Sequence, residues 1–176
     1  MRSLLWKCLI LLPLLIACET QQQVEPTDNT MPFVEQYELD LSVVEAYWTA
    51  YSEQDINAIE EILADDMVAF GIDYGLEMDK NAFIISREEI HYQFEILNLL
   101  DQETHPILDA TNMEYKGIGL KQWIKAKHNK TGVEVFFKMY SEFYIKDGTI
   151  HKVDVYYDSE DIYRQVKIAR LKESGK

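Results

Sequence analysis

The hydrophobic period of the chain changes part-way along it, and this change constrains the fold more than any other feature. From about His105 onward, four stretches are rich in aromatic and β-branched residues. Turn residues such as Asp147-Gly148 separate them, and links this short join neighbouring antiparallel strands. Between Lys152 and Tyr157, apolar and polar side chains largely alternate. The second half is therefore predicted to form four antiparallel strands.

Before His105 the apolar residues follow helical spacing instead. Ser42 and Glu45 form a capping box, which predicts the start of a first helix. Asp55 is predicted to cap a second helix. Ser86 and Glu89 form another capping box and predict a third helix.

Two further elements complete the predicted order. The stretch MVAFGIDYG is predicted to form a strand that is interrupted by glycines. Ser159 is predicted to cap a C-terminal helix. The order of helix, helix, strand, helix and four strands indicates an α+β fold, with helices packed on one face of a curved antiparallel sheet. A chain of 176 residues is long enough for one such domain with appendages.

Charge and cysteine content exclude several functions. Acidic residues outnumber basic ones by 31 to 17, which argues against a nucleic-acid partner. Both cysteines, Cys8 and Cys18, lie at the N-terminus, so a folded part without cysteine has no thiolate metal site. The four histidines show no metal-ligand spacing, and we expect neither a metal nor a cofactor.

The N-terminal segment has the pattern of a secretion signal. Arg2 and Lys7 precede an apolar stretch that ends at Ala17. This stretch is much shorter than the ~20 residues that a membrane-spanning helix needs. Its length is typical of the apolar region of a signal peptide.

The residues Leu15-Ile16-Ala17-Cys18 resemble the bacterial lipobox. The resemblance implies cleavage before Cys18 and lipidation of its thiol. The alternative is a plain secretion signal with an incidental cysteine. Residues 1–17 are thus predicted to be a lipoprotein signal peptide, and the protein is predicted to be anchored by lipid in a bacterial cell envelope, facing the periplasm or the exterior.

Residues 18–38 are predicted to be a flexible tether, because they are polar, contain two prolines and carry little apolar content. Residues 39–176 then form the folded domain.

Two stretches of this domain resemble the nuclear transport factor 2-like superfamily, and particularly its SnoaL-like and ketosteroid isomerase-like branches. They are YWTAYSEQDINAIEEILADDMVAF and YIKDGTIHKVDVYYD, and the likeness covers roughly residues 40 to 158. The resemblance implies a cone, in which a bent sheet wraps around helices and an apolar pocket opens at one end. It also implies a homodimer formed through the outer face of the sheet.

The resemblance also implies candidate site residues. In the isomerases of the family, a carboxylate on the first strand moves a proton, and a tyrosine on the first helix helps to bind the oxyanion. Tyr47 falls at the tyrosine position, whereas the carboxylate position falls at Gly71. Asp73, two residues further along the strand and on the same face if the strand is regular, is the candidate to replace it as the base. Tyr140 falls near the position of a second acid and Tyr157 at a cavity-lining aromatic, so Tyr47, Tyr140 and Tyr157 are candidate ligand-binding residues.

Each candidate has a simpler interpretation. Tyr47 lies in an apolar helical stripe that is typical of a core, and Asp73 lies beside glycines, where aspartate usually makes turns. Three functions remain open: binding of a small apolar ligand, catalysis of the isomerase, dehydratase or cyclase type, and a dimeric interaction module whose pocket is filled by side chains.

Overall fold

A computed structural model describes residues 31–71 and 76–174 of the protein. The four helices are α1 (Met31–Glu53), α2 (Ile56–Ile62), α3 (Lys80–Gln93) and α4 (Ser159–Glu173). The six strands are β1 (Leu63–Phe70), β2 (Glu77–Asp79), β3 (Phe94–Leu108), β4 (Tyr115–His128), β5 (Glu134–Lys146) and β6 (Thr149–Tyr157). None of the described helices is long and apolar enough to cross a bilayer.

The strands form one sheet in the order β2-β1-β6-β5-β4-β3. The strands β3 to β6 pair antiparallel as predicted, and β2 is antiparallel to β1. The pair β1–β6 is parallel, so the sheet is mixed rather than wholly antiparallel. Together with the four helices, it confirms the predicted α+β class.

Alternation along β5 separates a buried face of the sheet from an outer face. Val135, Phe137, Met139, Ser141 and Phe143 are buried, whereas the residues that alternate with them are partly or fully exposed. Phe143 packs against Tyr47 of α1, with 5.5 Å between ring centroids, so the buried face is the one that the helices cover. The core therefore lies between the helices and this face.

The first helix begins earlier than the sequence pattern indicates. It starts at Met31, so residues 31–38, assigned above to the tether, are helical. Ser42 is not its cap, because the Ser42 hydroxyl donates to the Leu39 carbonyl inside the helix at 2.6 Å. The predicted signal peptide, Cys18 and the rest of the tether lie outside the described residues.

Aspartate side chains cap the N-termini of the other three helices. Asp55 caps α2 as predicted, since its carboxylate accepts a hydrogen bond from the Ala58 amide. The predicted cap at Ser86 is wrong, because Asp79 caps α3 seven residues earlier. Asp158 rather than Ser159 caps α4. An aspartate at this position satisfies an amide that would otherwise lack a partner.

The turn between β5 and β6 is as predicted. Asp147 and Gly148 have φ angles of 51° and 76°, and both values are in the left-handed region. A two-residue hairpin loop requires this conformation at both positions, and Asp-Gly supplies it at low cost.

Candidate active or binding site

A cavity of about 70 Å³ lies at one end of the core, between α3, the sheet and α4. Its walls are mainly apolar and include Ile90, Ile96, Phe137 and Met139. The polar groups on its wall include Tyr157, Gln93 and Ser159. The described residues that line it include no carboxylate.

Helix α4 covers one side of this cavity and is held there by side-chain hydrogen bonds. The Gln165 amide donates to the Phe136 carbonyl at 2.7 Å, and its oxygen accepts from the Phe136 amide at 3.0 Å. This part of β5 extends past the end of β6, so Gln165 takes the place of a neighbouring strand. Ile162 and Tyr163 of α4 thereby reach the cavity wall.

Aromatic side chains fill the centre of the core next to the cavity. The Tyr47 side chain is 1% exposed, and its ring lies 5.4 Å from Trp48 and 6.2 Å from Tyr51, between centroids. Phe83 of α3 closes the group, 6.5 Å from Tyr47. Because these rings occupy the interior, the remaining cavity is much smaller than the ~300–1,000 Å³ that is usual for drug-sized ligands.

A buried arginine, Arg87, lies among these rings and was not identified from the sequence. Its side chain is 5% exposed, and its guanidinium lies 4.6 Å from the centroid of the Phe83 ring. It donates to the Ser86 hydroxyl and hydrogen-bonds to Tyr47. Within residues 31–71 and 76–174, no carboxylate forms an ion pair with it.

The groups nearest Arg87 are neutral at ordinary pH. Burial raises the pKa of Tyr47 and of Tyr51, and the positive charge of Arg87 offsets this only in part. Burial also lowers the pKa of His91, and Arg87 lowers it further, while a weak contact with the Tyr51 backbone acts in the opposite direction. The Tyr47 hydroxyl oxygen accepts a hydrogen bond from the guanidinium, but a neutral tyrosine does not neutralise its charge.

The sequence matches no protein-family model and no curated protein at a significant level. The structure is similar to that of a candidate polyketide cyclase from Xanthomonas campestris pv. campestris, with a TM-score of 0.62 and 19% identity over 74% of this chain and 98% of that one. It is also similar to a candidate isomerase from Bacillus subtilis, with a TM-score of 0.64 and 12% identity over 75% and 95% of the two chains.

A third similar structure is a nuclear transport factor 2-like protein from Burkholderia xenovorans, with a TM-score of 0.57 and 10% identity over 73% of this chain and 96% of that one. The chain has the nuclear transport factor 2-like fold. This confirms the predicted architecture, and identities this low carry no statement about activity.

The nuclear transport factor 2-like cone does not place all of the site residues predicted from the sequence at one site. Tyr157 lines the cavity, whereas Tyr47 is buried behind the wall, next to Arg87. Gly71 directly follows β1, and Asp73 lies outside the described residues. The predicted base is therefore not placed, and only Tyr157 of the three candidate tyrosines is on the cavity wall.

Tyr140 lies on the outer face of the cone, so the prediction that it faces the pocket is wrong. Its register partner is Tyr156, and both belong to the alternate set of strand residues that points away from the helices. The Tyr140 hydroxyl donates to Glu142 at 3.0 Å, and its ring stacks on His105 with 5.8 Å between centroids. Burial and this carboxylate raise the pKa of Tyr140 to about 12.

A helical register signal could have revealed the buried residues of α3. Phe83, Arg87 and His91 are spaced four residues apart and form the buried stripe of this helix. The stripe was missed because the predicted cap at Ser86 started the helix too late, at a residue that lies in the second turn of α3. The described part of the cone contains no cluster of three or more groups that could hold a metal ion.

We expect the stability of the protein to fall as the pH drops below 6.5, and His91 to contribute to that fall. The pKa of His91 is lowered in the folded state from the ordinary value of 6.5, so the unfolded chain binds the proton first. The contribution of one such group is at most about 1.4 kcal/mol per pH unit. Urea unfolding of wild type and His91→Phe between about pH 5 and pH 7 measures it.

In that experiment the His91→Phe variant should show the flatter dependence on pH. An unchanged slope in the variant would contradict a buried neutral imidazole at this position. His151 provides the control, because its side chain is 34% exposed, and His151→Phe should keep the contribution of His91.

Proposed function

We propose that the domain binds a small, largely apolar molecule in the cavity between α3, the sheet and α4. The cavity itself carries this proposal, because its wall combines apolar side chains with a few polar groups. Its volume of about 70 Å³ favours a small occupant. Ile162 and Tyr163 form part of the wall, so α4 helps to exclude water from the molecule.

A catalytic function has less support than binding. The position of the family's strand carboxylate is occupied by Gly71, which cannot transfer a proton. No aspartate or glutamate is among the described residues of the cavity wall. An isomerase, dehydratase or cyclase activity would therefore depend on Asp73 as the base.

Exposed aromatic residues favour a dimeric interaction module as the second candidate function. Trp123, Phe136 and Tyr156 lie on the outer face of the sheet and are 41%, 45% and 52% exposed. Exposed aromatic side chains grouped on one face are typical of protein interfaces. A second copy of the chain, paired through this outer face, is the proposed partner.

We also propose that the mature protein begins at Cys18 and is held in a bacterial cell envelope by acyl chains on this residue. The support is the lipobox-like sequence that ends at Cys18 and the charged and apolar regions before it. Two or more acyl chains give stable anchoring, whereas one gives only marginal binding. The acidic domain would then stand away from the anionic lipid surface.

Native mass spectrometry of the full-length lipoprotein, purified from its host and released from micelles in the instrument, tests the binding function. We expect the wild-type protein to carry an additional small mass that is lost on denaturation. Ala126 is 0% exposed and lies on the cavity wall, so Ala126→Leu should fill the cavity and abolish this mass.

A wild-type protein without any bound mass would contradict the binding function. The same holds if Ala126→Leu retains the mass in full, since the molecule would then be bound elsewhere. A dimer without a bound mass would favour the interaction module.

A further inference from the structure

The charge of Arg87 is the feature of the core that the proposed function does not use. A buried guanidinium is costly unless it is paired, and buried charged residues normally have a partner of opposite sign. Within the described ranges, Arg87 contacts hydroxyl groups and an aromatic face only. Among the residues that the structure describes, the positive charge at this end of the core therefore has no counter-ion.

Two tyrosines connect this charge to the cavity. Tyr51 and Tyr157 both line the cavity, and both are close enough to interact electrostatically with Arg87. Ile90, one turn after Arg87 on α3, also lines the cavity. A molecule in the cavity would thus have apolar walls around most of its surface and the positive charge beyond one end.

His91 is a second polar group in this region, and its ring nitrogens are unsatisfied among the described residues. It is 8% exposed, and neither of its ring nitrogens has a hydrogen-bond partner within ordinary distance in the described part of the chain. Its ring lies 4.8 Å from Tyr51, between centroids. Buried polar atoms of native proteins are nearly always satisfied, so these nitrogens are available to a partner such as water or a ligand.

We propose that the cavity binds an anionic ligand, a small monocarboxylate with a short apolar tail, whose carboxylate lies at the Tyr51 and Tyr157 end under the charge of Arg87. This inference rests on the proposed binding function and specifies its ligand class. The tail contacts Ile96, Phe137 and Met139 on the wall. The Tyr51 hydroxyl donates to the carboxylate, and charge-assisted hydrogen bonds of this kind are the strong ones.

Pentanoate and pentanamide test the proposal, because they have nearly the same shape and differ in charge. Their affinities for the full-length lipoprotein in phosphatidylcholine nanodiscs are measured by isothermal titration calorimetry. We expect wild type to bind pentanoate at least about tenfold more tightly than pentanamide, which is the size of effect that hydrogen bonds to a charged group produce.

Three variants make the test specific. Arg87→Gln should remove the preference for pentanoate, and Arg87→Lys should keep part of it because the charge remains. The matched control is Arg170→Gln at an exposed arginine of α4, which should leave the preference unchanged. Circular dichroism shows whether each variant is folded, and if Arg87→Gln is not, the comparison of Arg87→Lys with wild type decides.

The possible failures are distinguishable. Equal affinity of wild type for both probes overturns the anionic ligand and leaves the binding function in place. If wild type shows no preference and Asp73→Asn acquires one, the proposal is also overturned, because Asp73 is then the counter-ion of Arg87. Absence of binding by either probe overturns the ligand class, while the bound mass in native spectrometry decides the binding function itself.

Discussion

Replacing Tyr47 by alanine is expected to lower the free energy of unfolding by about 3–5 kcal/mol, the range for removing a large aromatic ring from a core. The Tyr47 side chain is 1% exposed and packs against rings from three elements, including Phe83 of α3 and Phe143 of β5. Its loss would leave a void that these rigid elements cannot close. Urea unfolding followed by circular dichroism measures the change.

Tyr92 supplies the matched control for this substitution. It lies on α3 and is 85% exposed, so Tyr92→Ala removes the same side chain without creating a cavity. We expect its effect to stay within about 0.5 kcal/mol. A Tyr47→Ala variant as stable as Tyr92→Ala would mean that the aromatic centre of the core does not form as described.

A Tyr47→Phe variant separates the contribution of the ring to stability from that of the hydroxyl. The hydroxyl hydrogen-bonds to Arg87, and the ring makes the contacts with the other aromatic residues. The phenylalanine keeps the packing, so it should destabilise less than alanine. Because the hydroxyl is engaged with Arg87 behind the cavity wall, Tyr47 serves the core in this structure, and the simpler of its two sequence interpretations is the better supported.

The strands were predictable because the signals that specify them are local. The left-handed turn at Asp147 and Gly148 and the alternation along β5 and β6 depend on residues that are adjacent in sequence. The parallel contact between β1 and β6 was not predicted, because it joins residues more than 80 positions apart, such as Ala69 and Val153. No local pattern specifies that pairing.

The start of α1 was missed for the same reason. Its second and third turns are held by contacts with distant strands: Tyr37 donates to Thr104 at 3.0 Å, and the Tyr115 hydroxyl donates to Asp40 at 2.8 Å. Polar composition alone suggests a tether for this segment, and such long-range contacts override it. Pro32 in the first turn was the available local signal, since proline is favoured there.

The site was less predictable than the fold. Arginine is among the residues least often buried, so the sequence alone gives no reason to place Arg87 inside. Its hydrogen bond to Tyr47 of α1 and its electrostatic interaction with Tyr157 of β6 form only when the cone is assembled. Tyr140 was misplaced because one step along a strand moves a side chain to the other face.

Replacing Cys18 by alanine is expected to abolish lipidation and to remove the acyl-chain anchor completely. This thiol is the proposed site of lipid attachment, and each buried methylene of an acyl chain contributes about 0.8 kcal/mol to membrane binding. Labelling of expressing cells with radioactive palmitate, followed by separation of the membrane fraction, measures both effects. Wild type should carry the label and the variant should carry none.

Cys8 makes this experiment specific, because it is the other cysteine of the chain and lies in the predicted signal peptide. Cys8→Ala should retain the full label, since Cys8 is predicted to be cleaved off with the signal peptide. If the label is lost in Cys8→Ala and retained in Cys18→Ala, the lipid is attached to Cys8. The predicted cleavage and lipidation at Cys18 would then be wrong. An unlabelled wild type would instead support a plain secretion signal, in which case the domain would bind its ligand free of the membrane.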